Sequence, residues 1–142
     1  MKKNKLLVES SYDFDLLGLI APLKDYKLAW MINSCLGFDL KKGVDFRMEF
    51  TNQPALIISQ YILEKEYGFV QLLRNRSYPV AGQAGYLVPE LKIMDYFLLF
   101  QDYTLETNIN TYIENLSKMR EIQHVVKLDV KKLKSRDNLL TY

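Results

Sequence analysis

The sequence predicts a single α+β domain: a mostly antiparallel sheet of five or six strands with two helices packed on one face. Three observations predict it. Apolar residues recur at helical spacing in two segments, 23–36 and 105–120. Several other segments alternate apolar and polar residues, the period of a half-buried strand. The strand-like stretches 55–64 and 68–75 are separated only by Lys65-Glu66-Tyr67, and hairpin spacing of this kind makes antiparallel pairs. No repeat, low-complexity tract or linker interrupts the chain, so its 142 residues read as one domain.

The elements follow in order. Lys5–Ser10 and Tyr12–Ile20 read as strand. Tyr12, Phe14 and Leu16 alternate with Asp13 and Asp15, and Pro22 stops the run. Leu23–Leu36 reads as the first helix. Leu23, Tyr26, Trp30 and Asn33 share its apolar face, Ala29, Ile32 and Leu36 widen it, and Gly37 is the natural C-cap. In Val44–Phe50, Val44, Phe46, Met48 and Phe50 point one way and Asp45, Arg47 and Glu49 the other. Ala55–Glu64 and Gly68–Asn75 form the hairpin. Arg76–Tyr86, with Pro79, Gly82 and Gly85, reads as loop. Val88–Leu91 reads as a turn, because Pro89 cannot donate to a central ladder; a short helix opened by Pro89 is the competing reading. Ile93–Gln101 is a near-continuous apolar run and reads as a buried central strand. Leu105–Arg120 is the second helix, with Ile109, Tyr112, Ile113, Leu116 and Met119 on one side. Ile122–Leu128 is the last strand, and Asp129–Tyr142 a basic tail with scattered Leu.

Composition excludes more than it suggests. With 49% hydrophobic and 13% aromatic residues and only six Gly and four Pro, the chain is not a disordered one. Its 19 basic and 17 acidic residues leave a net charge of +2, too near balance to imply a nucleic-acid or membrane partner by itself. The longest apolar runs fall short of a bilayer span. The basic start, Met1 to Lys5, is followed by Glu9, Asp13 and Asp15 in place of the apolar stretch of an export signal. Cys35 is the single cysteine, which excludes an internal disulfide and a Cys-ligated zinc site. A cytoplasmic protein with no membrane partner, no metal and no cofactor is the expectation.

The candidate chemistry is sparse. Asp95 interrupts the apolar run and shares a strand face with Ile93, Phe97 and Leu99. A carboxylate there is desolvated unless donors or a cation hold it. Glu90 is a second carboxylate, but five residues along a strand puts the two on opposite faces, and on a helix they stand roughly 140° apart. The simpler reading has Glu90 capping a turn and Asp95 in a structural hydrogen bond. His124, the only histidine, lies near the start of the last strand. Asp13 and Asp15 share a strand face and could offer oxygens to a divalent cation, as any solvated strand face does. Cys35 reads as a small buried filler with no reason to be a thiolate. Gly82-Gln83-Ala84-Gly85 lacks the Lys and Ser or Thr of a phosphate loop and the basic setting of a nucleic-acid clamp. Trp30 reads as a core anchor, and Asn33 beside it as part of a polar contact on the same helix face. Lys127, Lys131, Lys132, Lys134 and Arg136 form a basic stretch, read first as a solvated tail and second as a surface for RNA backbone.

The segment Val88-Pro89-Glu90-Leu91-Lys92-Ile93-Met94-Asp95-Tyr96 resembles the signature of the IPExxxVDY family, a set of small proteins found mainly in Bacteroidetes. Pro89, Glu90, Asp95 and Tyr96 match the motif, while Val88 stands for its Ile and Met94 for its Val. Asp25 to Trp30 with Asn33, and Lys134 to Leu139, fit the same pattern, so the resemblance spans the chain. It implies a bacterial source and marks Pro89, Glu90, Asp95 and Tyr96 as the motif to explain. It implies no reaction, ligand or partner.

Three functional classes are compatible with these residues. The first is a non-catalytic protein-interaction or regulatory module, acting on a protein partner or by self-association as a homodimer. The second is an RNA-associated protein using the basic C-terminal face. The third is a small enzyme built around Asp95, Glu90 and His124. The first is the expectation, because no catalytic set is visible in the sequence.

Overall fold

The apolar run in the middle of the chain becomes the middle of the sheet. The structure is a computed structural model that describes residues 14–66, 68–102 and 108–140. Its elements are β1 (Asp15–Ile20), α1 (Asp25–Leu36), β2 (Lys41–Lys42), β3 (Phe46–Met48), β4 (Leu56–Ile58), β5 (Gln60–Lys65), β6 (Gly68–Arg74), β7 (Tyr96–Asp102), α2 (Ile109–Ser117) and β8 (His124–Leu128), with single 3-10 turns at Pro89–Leu91, Val130–Lys132 and Arg136–Leu139. Six strands form one sheet in the order β2-β5-β6-β7-β1-β8, and β3 and β4 form a separate two-stranded ribbon. Every strand pairing among the described residues is antiparallel. The expected class, an antiparallel sheet with two helices on one face, is the observed one. The expected strand Lys5–Ser10 and residues 12–13 and 105–107 of expected elements lie outside the described residues.

The sheet is covered on both faces, and this changes its sequence pattern. Leu17, Leu19, Val70, Leu72, Tyr96, Leu98 and Phe100 pack with Leu28 and Ile32 of α1 and with Ile109 and Leu116 of α2. Leu16, Leu73, Phe97 and Leu99 point the other way, onto Leu56 and Ile58 of the ribbon, Leu87, Val88 and the C-terminal residues Val130, Leu133 and Leu139. A strand buried on both sides has no polar face to alternate. So Leu16 to Leu19 are all buried, where alternation predicted a half-buried strand. Gly18 permits the close packing there, because a Cβ would stand 2.9 Å from the Met94 sulfur.

Several expected boundaries move, each for a physical reason. The central strand begins at Tyr96, not Ile93; Ile93 lies in a turn and is 68% exposed. Pro89 opens a one-turn 3-10 helix, joining the turn and short-helix readings. The expected strand Ala55–Glu64 breaks at Ser59, whose hydroxyl donates to the Asp25 carboxylate, so that β4 leaves the sheet and folds over its second face. Of Val44–Phe50 only Phe46–Met48 is strand, and Val44 is exposed. The C-terminal tail is not a solvated one: its apolar residues Val130, Leu133 and Leu139 are buried in the second core. On α1 the buried face is Leu28, Ala29, Met31 and Ile32, while Tyr26 and Trp30 point outward.

Candidate functional site

The site grows from Asn75, the residue just past the end of β6. It is fully buried, and its side chain donates to the carbonyls of Leu91 and Met94, both at 2.9 Å, and accepts from the Val88 amide at 2.9 Å. Its backbone donates to the Asp95 carbonyl and accepts from the Leu87 amide. One side chain therefore shapes the whole 88–95 turn, which has no regular ladder to satisfy its polar groups. Sequence reasoning placed Asn75 only as the last residue of a strand. A lone Asn between an apolar strand and a Pro/Gly loop gives no more signal than that.

This turn sets Asp95 at the corner before β7. Asp95 Oδ2 accepts from the Ala21 amide at 2.8 Å, and its own backbone N–H donates to Leu19 O at 2.8 Å. The carboxylate thus ties the exit of β1 to the entry of β7. It is half-buried, so the expectation of a carboxylate set in the middle of an apolar strand is corrected: Asp95 precedes the strand. Tyr96, the next motif residue, is buried, and its hydroxyl donates to the Leu23 carbonyl. Burial pushes the Tyr96 phenol far up; Arg74 opposes this, while Asp25, Asp95 and Tyr61 add to it, so the group stays a neutral donor.

A cavity of about 570 Å³ opens beside this corner. Its wall is formed by the 21–25 connection into α1, by Arg74, Arg76, Tyr78 and Tyr86, and by Lys92, Met94, Asp95 and Tyr96. Four of these side chains are cationic: Lys24, Arg74, Arg76 and Lys92. Two are carboxylates, Asp25 and Asp95, and both already accept hydrogen bonds, Asp25 from the Tyr26 amide and the Ser59 hydroxyl. Among the described residues none of the four cations is in an ion pair. Two lie over aromatic rings: the Arg74 guanidinium 6.0 Å from the Tyr78 centroid and the Lys92 ammonium 5.6 Å from that of Tyr86.

The other half of the motif does a different job. Glu90, in the 3-10 turn that Pro89 opens, accepts from the Ser135 amide at 2.9 Å and the Ser135 hydroxyl at 2.8 Å. Partial burial pushes the Glu90 carboxyl up, but the hydrogen bonds from its own backbone, Ser135 and Lys134 outweigh it and hold the group below its ordinary value. Asn138 adds a bond to the Leu87 carbonyl at 2.8 Å. Glu90 therefore clasps the C-terminal tail, and it does not line the Asp95 cavity.

The remaining candidates scatter. His124 is exposed on the edge strand β8, opposite Ile20, and does not line the cavity either. Trp30 is 69% exposed and is no core anchor. Asn33 clasps Leu40, accepting from its amide at 2.9 Å and donating to its carbonyl at 3.2 Å, so it fixes the chain that leaves α1. In the basic stretch Lys127, Lys131, Lys132, Lys134 and Arg136 are all exposed. Lys127 lies 3.8 Å from Asp15, Lys132 lies 3.9 Å from Asp129, and Arg136 donates to the Lys131 and Leu133 carbonyls. Burial pushes the Cys35 thiol up, against Lys118, and the thiol donates to the Asn115 carbonyl. Gly82 belongs to a tight turn in which Val80 and Gln83 exchange two backbone bonds. No helix among the described residues is long and apolar enough to cross a membrane.

Fold and cavity together define a class: a small α+β domain whose central antiparallel sheet carries a cationic, tyrosine-walled cleft at one end. No family model, no curated protein and no solved structure matches the chain.

Proposed function

We propose that this protein is a non-catalytic regulatory module, and that it acts by binding an anionic group in the cavity beside Asp95. One observation carries this reading. Four cations line a single cavity, and its two carboxylates are already held by backbone amides and a hydroxyl. Like charges gathered without ion pairs repel one another, and the Tyr78 and Tyr86 rings offset this for only two of the four. Reacting groups are not gathered in the same way. Glu90 and His124 stand away from the cavity, and the Tyr96 phenol is held neutral. A place among the IPExxxVDY proteins is part of the proposal. It is supported by the work that Asp95 and Tyr96 do at the cavity and by the clasp that Glu90, in the turn Pro89 opens, makes on the C-terminal tail.

The test is the stability of charge-neutralised variants without added anion. Arg76→Gln and Lys92→Gln, both at exposed positions, are expected to leave the urea midpoint unchanged or raise it slightly, within about 0.5 kcal/mol. A loss above about 1 kcal/mol in both would mean that these cations serve the fold, and the reading would fall.

A further inference from the structure

We infer that the anion is a phosphate monoester carried on a small organic body. This rests on the reading of the cavity as the binding site and adds the ligand class. The charge count comes first. Four cations less two carboxylates leave the lining at +2. A phosphate monoester carries about −1.5 to −2 at neutral pH and matches it, whereas a single carboxylate would leave the lining cationic. The donor types come second. Arg74 and Arg76 are two residues apart where β6 runs out, and Arg76 is held opposite Tyr86 by a β-bridge. Planar guanidinium forks present paired N–H donors, the geometry that fits phosphate oxygens.

The helix contributes in the same direction. Lys24 is the N-cap of the 12-residue helix α1 and gives it no side-chain cap. An N-cap is usually Ser, Thr, Asp or Asn, and a cation there opposes the helix dipole. Asp25 in the first turn offsets part of this and already accepts from the Tyr26 amide; a bound anion at the cavity offsets more of it. The helix end alone would not define a site; it is one wall of a cavity whose other walls are cationic as well.

Size supplies the organic body. About 570 Å³ is far more than a phosphate group fills and falls within the range of small-molecule pockets. Leu23, Met94 and the rings of Tyr78 and Tyr86 give that space an apolar wall.

The full chain is titrated calorimetrically at fixed ionic strength with inorganic phosphate, phenyl phosphate, succinate and a tyrosine-phosphorylated peptide. Phenyl phosphate is expected to bind at least tenfold tighter than inorganic phosphate and than succinate. Arg74→Gln and Arg76→Gln are each expected to weaken it tenfold or more. Binding should also weaken as pH falls through about 6, where the monoester dianion takes up a proton and becomes a monoanion. Arg76, whose side chain is exposed, keeps the test valid if Arg74→Gln unfolds the chain. Succinate binding as tightly as phenyl phosphate would overturn the phosphate assignment and leave the cavity reading standing. Equal affinity for inorganic and phenyl phosphate would remove the organic body. A peptide that binds tighter than phenyl phosphate would move the source to a partner protein and overturn the small-molecule assignment. Binding indifferent to both Arg variants, or no binding of any anion, would remove the cavity reading itself.

Discussion

The two faces of the sheet are covered by different means. One carries α1 and α2, whose Leu28, Ile32, Ile109 and Leu116 lie on Leu17, Leu72 and Leu98 in an apolar layer. The other carries a short ribbon, an irregular excursion and single 3-10 turns, stitched down by side chains: Asn75 to the 88–95 turn, Ser77 to the Ile57 amide, Glu90 to Ser135 and Asn138 to Leu87. A helix satisfies its own backbone and needs only an apolar stripe to dock. Irregular chain must find partners for its amides and carbonyls, so it costs polar side chains. The difference also has a functional side. The cavity lies where the irregular cover meets the start of α1.

The sharpest way to break the comparison is to remove one anchor from each face. Asn75→Ala deletes three side-chain hydrogen bonds at a fully buried position and strands the buried Val88 amide. At about 1 kcal/mol per bond, the expected loss is about 3 kcal/mol, with the denaturant slope unchanged. Leu28→Ala, which only opens space under α1, is expected to cost a similar about 3 kcal/mol. Urea unfolding of both variants checks this. If Asn75→Ala costs under about 1 kcal/mol while Leu28→Ala keeps its cost, the irregular face is not held by its polar side chains and the distinction fails.

The same difference explains what was legible in the sequence. The helix-covered face was readable because periodicity is its whole code: Ile109, Tyr112, Ile113, Leu116 and Met119 were expected together and do pack together against the first core. Even there α1 was rotated, since Leu28 and Met31 offer a second apolar stripe beside Tyr26 and Trp30, and only the sheet decides between them. The other face was nearly unreadable. Nothing local distinguishes the Leu133 and Leu139 that close a core from Leu in a solvated tail, because their partners Phe97 and Leu99 are some 40 residues away in sequence. The candidate site was half seen. Asp95 and Tyr96 stood out as a motif, but the four cations come from three separate segments and carry no spacing rule.

A smaller effect sharpens the account of the excursion. In its tight turn Ala81 has φ 53° and Gly82 φ 78°, with Val80 and Gln83 bonded both ways at 2.7 and 3.0 Å. Two successive positive φ values are the mark of the two-residue hairpin that favours Asn-Gly or Gly-Gly. Ala pays roughly 1–2 kcal/mol for that conformation, and Gly in its place returns part of this as unfolded-state entropy. Ala81→Gly is therefore expected to raise stability by about 0.5–1 kcal/mol, where a glycine in a loop would ordinarily lower it. A drop in the thermal midpoint would show that the turn does not hold this shape in solution.

The smallest effect is expected at the tail clasp, and its signature is its pH dependence. Hydrogen bonds from Ser135 and the neighbouring backbone hold the Glu90 carboxyl below its ordinary value of 4.5 in the folded chain. A depressed carboxyl stabilises the fold above the unfolded-state pKa, and that contribution is lost as pH falls through the folded-state value. Glu90→Gln should then cost roughly half a kcal/mol at neutral pH, kept small because solvent screens an exposed carboxylate. The gap between the variant and the parent should close as the pH drops below 4.5. Hydrogen exchange should place the loosening at Ser135 to Leu139 and not at α1 or α2. A gap that stays constant across the titration would mean that the carboxylate charge plays no part in the clasp. Exchange that rises equally under both helices would mean that the two covers unfold as one unit, and that the irregular face is no less cooperative than the helical one.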